Sequence, residues 1–339
     1  MGELDGRERV GAAMAAGSVV LIGGSVAASS LVAGFPVLGG QAVRYLAAAL
    51  LLAALARLRR VPLPWPTRRE WAWLIGLAGV GLAGLSVVMI KATQLTDPAR
   101  VGVIIGAAPL VIVLANAVAA RRRPTRQLVV AAGLVTVGAS AAQLGDVSGA
   151  SWNWAGLLLS IGALGGVVAS SLFAAPVLPR LGALAVTVYS CTLAGVGLLV
   201  AATALWWAGS GPVLRGPTRV ELGALIYLAV AVTAVVFVAW YGAIERLGVE
   251  RTGLFNGLIP IASLAAVALV GTGTVTPVRA VGAAAVLFGV LLGLGAAKPA
   301  TGVNEPSTCA SDRRLAGEPR SLESTRPLQR TIDRRAVED

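Results

Sequence analysis

A single arginine lies inside an apolar stretch of the sequence, where a charged side chain is energetically unfavourable. Arg44 follows Pro36 by eight residues, within the apolar stretch 36–56. If that stretch is a membrane helix beginning at the proline, a rise of about 1.5 Å per residue places Arg44 roughly 12 Å into the bilayer. A charge at such depth costs about 2.5–3.5 kcal/mol or more unless it is paired or hydrated. Arg44 is therefore the first candidate for a side chain that binds a substrate or lines a wet cavity.

No acidic residue is placed to pair with Arg44. The acids up to position 250 lie in the N-terminus or at the ends of apolar stretches, and they are Glu3, Asp5, Glu8, Glu70, Asp97, Asp146, Glu221, Glu245 and Glu250. Water, carbonyls and hydroxyls must satisfy the guanidinium, or an anionic substrate must. A fixed structural arginine that hydrogen-bonds helix ends is the alternative, and it stays open.

Two prolines lie well inside apolar stretches, at matching places. Pro109 and Pro260 each follow the start of their stretch by about 8–10 residues. A proline inside a helix clashes with the carbonyl four residues earlier, so the carbonyls of Ile105 and Asn256 should lose their helical partners. Unpaired backbone at membrane depth is tolerated only where protein or a water-filled cavity satisfies it. A substrate site and a packing kink both explain the pattern, and both stay open.

Four glycines precede these prolines as two Gly-x-x-x-Gly pairs, Gly102 with Gly106 and Gly253 with Gly257. Membrane helices associate through close backbone contact, which small faces of this kind allow. We therefore expect the glycines to serve packing in preference to ligand contact. The same faces suit dimerisation, so a homodimer stays open.

Polar and aromatic side chains inside the apolar stretches are softer candidates. The residues that we predict to contact substrate together with Arg44 are Tyr45, Gln41, Ser29, Asn256, Trp240 and Tyr241. Trp240 and Tyr241 could line a cavity, but the sequence favours anchoring of a helix at the membrane surface for both. The chain has no histidine and no deep acid, so we predict no catalytic residue, no metal ligand, no cofactor and no enzymatic activity.

The segments that must position these residues occur in the sequence as an internal repeat of two copies. Residues 66–78 recur as 217–229 with eight of thirteen positions identical, at an offset of 151. The pattern Arg-x-Gly-x-x-x-Gly-x-x-Pro of 100–109 returns at the same offset, and residues 26–33 match 167–174 at an offset of 141. Each copy holds five apolar stretches, an odd number, so the second copy must begin on the opposite face of a membrane. Inverted repeats of this kind are typical of transporters that alternate access around a central site.

The composition is that of a membrane protein. Of the residues, 56% are hydrophobic and 13% charged, whereas an ordinary soluble domain carries about 25% charged residues. Ten apolar stretches approach the roughly 20 residues that cross a bilayer as a helix. They are 12–33, 36–56, 71–92, 99–120, 128–145, 154–175, 182–207, 222–244, 252–271 and 277–297. We predict an all-α membrane protein with ten transmembrane helices arranged as two inverted five-helix repeats.

Basic residues between the stretches indicate the orientation. Fourteen fall on the side of the termini and five on the other side, the five being Lys91, Arg100, Arg215, Arg219 and Arg279. The positive-inside rule then favours both termini in the cytoplasm. We predict a multi-pass protein of the inner cell membrane. The charges sit in short loops and form no contiguous face, so we do not expect a nucleic-acid partner.

The predicted organisation has five parts. They are a cytoplasmic N-terminus (1–11), a first five-helix repeat (12–145), a linker (146–153), a second repeat (154–297) and a cytoplasmic tail (298–339). The tail balances seven arginines against seven acids with few apolar residues. Such a segment buries too little surface to fold, so we predict disorder there.

The order of these motifs resembles the drug/metabolite transporter superfamily, and within it the EamA-like members with ten helices. Pro36 followed by Arg44 and Tyr45 is similar to the family pattern in the second helix. The runs 106–110 and 257–261 are similar to its pattern near the start of helices four and nine. The family often ends those helices with a Gly-Glu pair, which this chain lacks at 119–121 and 271–273. The resemblance covers about residues 10–297 and implies export of a small metabolite, amino acid or drug-like compound.

The expected function is therefore secondary transport of a small molecule across the lipid bilayer by alternating access. Arg44 favours substrates with a carboxylate. A non-transporting membrane scaffold or partner subunit is the alternative. Proton-driven transporters usually carry a titratable group within the pathway, so a buried-carboxylate cycle is not expected here. Exchange, facilitated diffusion and protonation of a peripheral acid such as Asp97 or Glu245 stay open.

Overall fold

Every regular element of the described residues is helical. The computed structural model describes residues 5–32, 34–96, 98–144, 153–209, 211–262, 265 and 276–295. Its longer helices, numbered in chain order, are α1 Gly6–Leu31, α2 Val37–Leu58, α3 Arg68–Leu95, α4 Pro98–Ile105, α5 Ala108–Ala119, α6 Arg126–Leu144, α7 Trp154–Ala174, α8 Leu178–Trp207, α9 Arg219–Leu247, α10 Val249–Leu254 and α11 Pro277–Leu294.

Seven helical stretches within the described residues are long and apolar enough to cross a membrane. They are Val37–Leu58, Arg68–Leu95, Arg100–Ala119, Trp154–Ala174, Leu178–Trp207, Arg219–Leu247 and Pro277–Leu294. Each corresponds to one of the ten predicted stretches, so the all-helical class is confirmed. The other three, 12–33, 128–145 and 252–271, stay predictions as membrane spans, and the last runs beyond the described residues.

Helices α3 and α9 are built alike because the sequence that starts them is repeated. Each begins with a Thr-x-x-Glu capping box, in which the threonine hydroxyl accepts the glutamate N–H and the glutamate carboxylate accepts the threonine N–H. Each then passes into a π-helical segment, Leu77–Gly84 in α3 and Leu228–Val235 in α9. The two π segments are separated by the same offset of 151 as the sequence repeat.

The most extensive packing joins helices from the two copies of the repeat. Helix α1 packs on α9, α3 on α7, α2 on α8 and α6 on α11. Glycines allow the last pair to touch by backbone. A Cβ added to Gly138 would lie 2.6 Å from the Gly282 carbonyl oxygen, and one added to Gly282 would lie 2.7 Å from the Gly138 carbonyl oxygen.

Both proline-containing stretches are interrupted. Gly106 and Ala107 form a turn between α4 and α5, in which the Ala107 N–H donates to the Ile104 carbonyl at 3.1 Å. After α10, residues Phe255–Leu258 are a 3₁₀ helix. The prediction that the Asn256 carbonyl loses its partner is wrong, because the Ile259 N–H donates to it in the tighter 3₁₀ pattern.

The structure describes part of the predicted N-terminal segment and none of the predicted C-terminal tail. Helix α1 starts at Gly6, six residues before the predicted first stretch at 12, so most of the predicted N-terminal segment is helical. The Asn153 carboxamide caps α7 by accepting the N–H groups of Ala155 and Gly156. Most of the predicted linker and the whole tail 298–339 lie outside the described residues.

Candidate functional site

A cavity of about 830 Å³ lies among α1, α2, α3, α7 and α9, with the 3₁₀ segment after α10 at its wall. Both copies of the repeat therefore contribute to its lining. In α1 and the residue that follows it the lining runs from Ile22 to Val32, and in α3 from Leu85 to Gln94. The cavity thus lies toward the end of the bundle where α1 and α3 finish and α2 begins, which we call the cavity end. A volume of this size is typical of sites for small organic ligands.

All seven residues that the sequence predicts as substrate contacts line this cavity. They are Arg44, Tyr45, Gln41, Ser29, Asn256, Trp240 and Tyr241. In the sequence they are scattered over more than two hundred positions, and helix packing brings them to one space. Their role in binding stays a prediction.

Arg44 meets neutral groups on two sides. Its Nε donates to the hydroxyl of Thr233 at 2.5 Å, and its Nη1 donates to the Gln41 carboxamide oxygen at 3.4 Å. Its Cζ also lies 5.7 Å from the centre of the Tyr45 ring, within the range of a cation–π contact. None of the ion pairs among the described residues involves Arg44. A hydroxyl and a carboxamide therefore accept hydrogen bonds from part of the guanidinium. This agrees with the expectation that neutral groups must satisfy it.

Arg44 is the one charged residue among the side chains that line the cavity in the described part of the chain. Uncompensated positive charge in an otherwise neutral space attracts an anion, because little else there offsets the cost of keeping the cation out of bulk water. The described residues contain no cluster of three or more Cys, Asp or Glu side chains that could hold a metal ion.

Aromatic rings form one wall of the cavity. The rings of Tyr45 and Phe237 are stacked with centres 6.3 Å apart, and those of Phe237 and Tyr241 are stacked at 6.0 Å. The Tyr45 hydroxyl donates to the Leu82 carbonyl at 3.3 Å. Tyr241 is 1% exposed and Trp240 7% exposed, so both lie in the protein and not at a lipid-facing surface. Their placement favours the cavity-lining alternative over membrane anchoring.

The two prolines and four glycines of the repeated motif lie around the cavity and not within it. Ile105 and Asn256, each four residues before a proline, are in the lining, whereas Pro109 and Pro260 are not. An added Cβ would lie 2.2 Å from the Gln143 Nε2 atom at Gly102, 2.9 Å from the Ile112 Cγ2 atom at Gly253, 2.1 Å from the Val135 Cγ1 atom at Gly257, and 3.0 Å from the Val103 carbonyl oxygen at Gly106. All four glycines stand outside the lining, at contacts where a side chain has little or no room.

Sequence reasoning missed Phe237, which stacks on Tyr45 and Tyr241, and Thr233, which contacts Arg44. Phe237 lies one helical turn before Tyr241, so helical spacing from the predicted aromatic pair could have found it. Thr233 is the repeat equivalent of Leu82, because it follows that residue at the repeat offset of 151. A hydroxyl replacing a leucine at an equivalent membrane position is a signal that comparison of the two copies could have revealed.

The opposite end of the bundle carries paired charges, and we call it the paired end. The Glu250 carboxylate accepts hydrogen bonds from Asn116 at 2.9 Å and from Arg122 at 2.8 Å. Arg251 donates to Glu8 at 3.1 Å. Glu250 and Arg251 are both buried. Asn116 and Arg122 belong to the first copy of the repeat, and Glu8 lies in α1, whose longer part belongs to that copy. These contacts therefore join the two copies directly.

Further polar groups lie at the same end. Arg180, near the start of α8, is hydrogen-bonded to the Glu70 carboxylate at the start of α3. Glu245 has one carboxylate oxygen that is buried and without a hydrogen-bond partner within the described residues. Its other oxygen lies 4.0 Å from Arg246 Nη1. Asp97, the other peripheral acid of the sequence analysis, lies outside the described residues.

Comparison with known proteins identifies the family. Residues 9–142 and 151–294 each match the EamA-like transporter family. A Bacillus subtilis (strain 168) protein named "Uncharacterized transporter YetK" is 24% identical over 253 residues, which are 74% of this chain and 76% of that protein. A solved crystal structure superposes with a TM-score of 0.70 at 19% identity, over 84% of this chain and 96% of the other, and so has the same fold. The chain belongs to the EamA-like transporter family, and with its apolar helices it is a multi-pass membrane transporter.

Proposed function

We propose that the chain is a secondary transporter that moves a small organic solute by alternating access between two inverted five-helix repeats. The cavity supports this proposal because both copies of the repeat line it. The packing of α1 on α9 and of α3 on α7 exchanges the first and third helices of the two copies, as a two-fold axis in the membrane plane would require. The matching π segments support the same symmetry.

The observation that carries the substrate proposal is the single charge of the cavity. A guanidinium held by neutral partners beside an aromatic wall suits an anion with an apolar body, and a carboxylate matches its planar geometry. We therefore propose a metabolite, amino acid or drug-like compound that bears a carboxylate, with Arg44, Gln41, Tyr45, Ser29, Asn256, Trp240 and Tyr241 as its contacts.

The two ends of the bundle support a direction of opening. With both termini in the cytoplasm, as the positive-inside rule favours, the cavity end faces outward and the paired end faces inward. The structure then corresponds to a state in which the inner side is closed by ionic contacts between the copies. Export requires the reverse state, in which the contacts at the paired end separate. We propose export in the inner cell membrane on this basis and on the family resemblance.

The test is ligand-induced thermal stabilisation of the purified protein, wild type beside Arg44→Ala, across anionic, zwitterionic and cationic metabolites. A ligand at 100 times its Kd adds about 2.7 kcal/mol to the apparent stability. We expect stabilisation by carboxylates that disappears in a still-folded Arg44→Ala protein. Hits that survive the substitution, or that are all cationic or apolar, would overturn the carboxylate assignment.

A second measurement separates a transporter from a non-transporting scaffold. The ligand that stabilises the protein is loaded into proteoliposomes, and its flux is followed with and without solute on the opposite side. Flux accelerated by solute on the other side supports exchange, and no flux above protein-free vesicles supports a scaffold. A substrate-dependent pH change that Glu245→Gln abolishes would instead assign proton coupling to that peripheral acid.

A further inference from the structure

Thr233 occupies a position that the proposed function does not use. Its hydroxyl lies 2.5 Å from Arg44 Nε, and its side chain is 0% exposed. The contact joins α2 of the first copy to the π segment of α9 in the second copy. A buried threonine in a membrane helix ordinarily bonds its hydroxyl to its own backbone, so this contact with a distant arginine needs a further account.

The direction of each hydrogen bond is set by the groups involved. The Thr233 hydroxyl donates to the Leu228 carbonyl at 2.9 Å, which uses its one proton. Its oxygen is left to accept, and Arg44 Nε can only donate. Arg44 Nε therefore donates to the Thr233 hydroxyl, which donates in turn to a carbonyl of the π segment. This contact occupies the Nε edge of Arg44.

A carboxylate binds an arginine in pairs of parallel hydrogen bonds, either across Nε and one Nη or across the two Nη atoms. Thr233 excludes the first arrangement. Gln41 approaches Nη1 at the long distance of 3.4 Å, and Nη2 has no hydrogen-bond partner among the described residues. The edge formed by the two Nη atoms is thus the one left for a ligand.

We propose that Thr233 is the positioning residue that holds Arg44 by its Nε edge and so presents the two Nη atoms to a substrate carboxylate. The inference rests on the proposed function and adds to it the residue that sets the geometry of anion binding.

The other copy of the repeat shows that this contact is particular to the second π segment. At the equivalent position of the first copy, the Leu82 backbone carbonyl accepts a hydrogen bond from Tyr45, the residue next to Arg44 in α2. Adjacent residues of α2 thus contact equivalent positions of both π segments, one through a carbonyl and one through a hydroxyl. Only the hydroxyl can be removed by substitution, which makes the proposal testable.

The test uses benzoate and its neutral counterpart benzamide as probes, with binding to the purified full chain followed by calorimetry and thermal stabilisation. Thr233→Val removes the acceptor and keeps the shape, and Thr233→Ser restores a hydroxyl. Thr187→Val is the matched control, because Thr187 is equally buried and bonds only the Ala183 carbonyl, at 2.7 Å. We expect Thr233→Val to raise the Kd of benzoate roughly tenfold. Benzamide binding should change little, and Thr233→Ser and Thr187→Val should resemble wild type.

The outcomes separate this proposal from the one on which it rests. Benzoate binding that Arg44→Ala abolishes and Thr233→Val leaves intact would keep the carboxylate site and overturn the role of Thr233. An equal loss for benzoate and benzamide in Thr233→Val, or a comparable loss in Thr187→Val, would show a general structural effect and overturn it too. Benzoate binding that does not need Arg44 would overturn both.

Discussion

Two charged sites of the bundle, one around Arg44 and one around Glu250 and Arg251, are built in opposite ways. At the cavity end, Arg44 is held by a hydroxyl and a carboxamide and faces open space. At the paired end, Glu250 and Arg251 are buried and bonded to charged partners from the other copy of the repeat. A buried pair contributes to holding one arrangement of the chain, because separating it leaves charges without partners. An unpaired charge in a cavity contributes little to the fold and is available to a ligand. We therefore expect the Glu250 and Arg251 site to hold the two copies together and the Arg44 site to bind a ligand.

The largest expected effect breaks the paired end. Arg122→Ala removes the cationic partner of the buried Glu250 carboxylate and leaves only Asn116 bonded to it. Breaking a buried pair costs about 3–5 kcal/mol, and partial exposure of Arg122 places the expected loss near 3 kcal/mol. Reversible unfolding in mixed detergent measures it. Arg123→Ala, at the exposed neighbour, is the control and should stay within about 0.5 kcal/mol. Equal losses in both variants would contradict the pairing.

The next effect tests the packing between the two ends. A Cβ at Gly257 would lie 2.1 Å from Val135 Cγ1, whereas one at Gly133 meets nothing within 4 Å. Gly257→Ala should therefore destabilise by about 1–3 kcal/mol through overpacking. Gly133→Ala should be neutral or stabilising by up to about 1 kcal/mol, since alanine favours the helix. The same unfolding assay compares the two variants. An unchanged stability of Gly257→Ala would mean that the helices at this contact can move apart at little cost.

A smaller change in stability is expected where binding is lost. Arg44→Ala removes a charge whose partners are neutral and which faces the cavity, so unfolding should shift by no more than about 1 kcal/mol. The carboxylate-dependent stabilisation should vanish in the same protein. A large destabilisation, comparable to that of Arg122→Ala, would instead identify Arg44 as a structural residue, the alternative that the sequence left open.

The smallest effect concerns the two capping boxes. Glu70 and Glu221 each accept hydrogen bonds from an arginine, Arg180 and Arg215 respectively, whose side chain is exposed while the carboxylate is mostly covered. Replacing either glutamate by glutamine keeps an acceptor for the cap and removes the ion pair, which at a surface contributes about 0.2–1 kcal/mol. We expect similar small shifts in thermal stability for Glu70→Gln and Glu221→Gln. A marked difference between them would reveal a further asymmetry between the ends.

Several features of the fold could be predicted because they depend on short stretches of sequence. The apolar stretches follow from the cost of exposing or burying side chains, and seven of them appear as helices of spanning length. The Thr-x-x-Glu pairs at 67–70 and 218–221 form capping boxes because their groups are neighbours in the chain. The interruption by a turn and by a 3₁₀ segment could not be located as well, because relief of a proline clash depends on how neighbouring helices pack.

The candidate site divides in the same way. The need of Arg44 for neutral partners followed from the absence of deep acids in the sequence. The identity of those partners did not, because Thr233 lies 189 positions away and its contact depends on α2 crossing the π segment of α9. The pairing of Glu250 with Arg122 across 128 positions was likewise beyond local reasoning.

The sequence by itself determined the helical class, the repeat and the presence of one charge that a membrane interior must accommodate. These follow from apolar periodicity, from self-similarity and from the desolvation cost of a guanidinium, none of which needs three-dimensional contacts. The tertiary structure alone decided that seven scattered residues share one cavity, and that a threonine of one copy orients an arginine of the other. Those outcomes depend on which helix faces pack together. Side chains contact one another only within a few ångströms, and the number of residues between them in the sequence does not determine their distance in space.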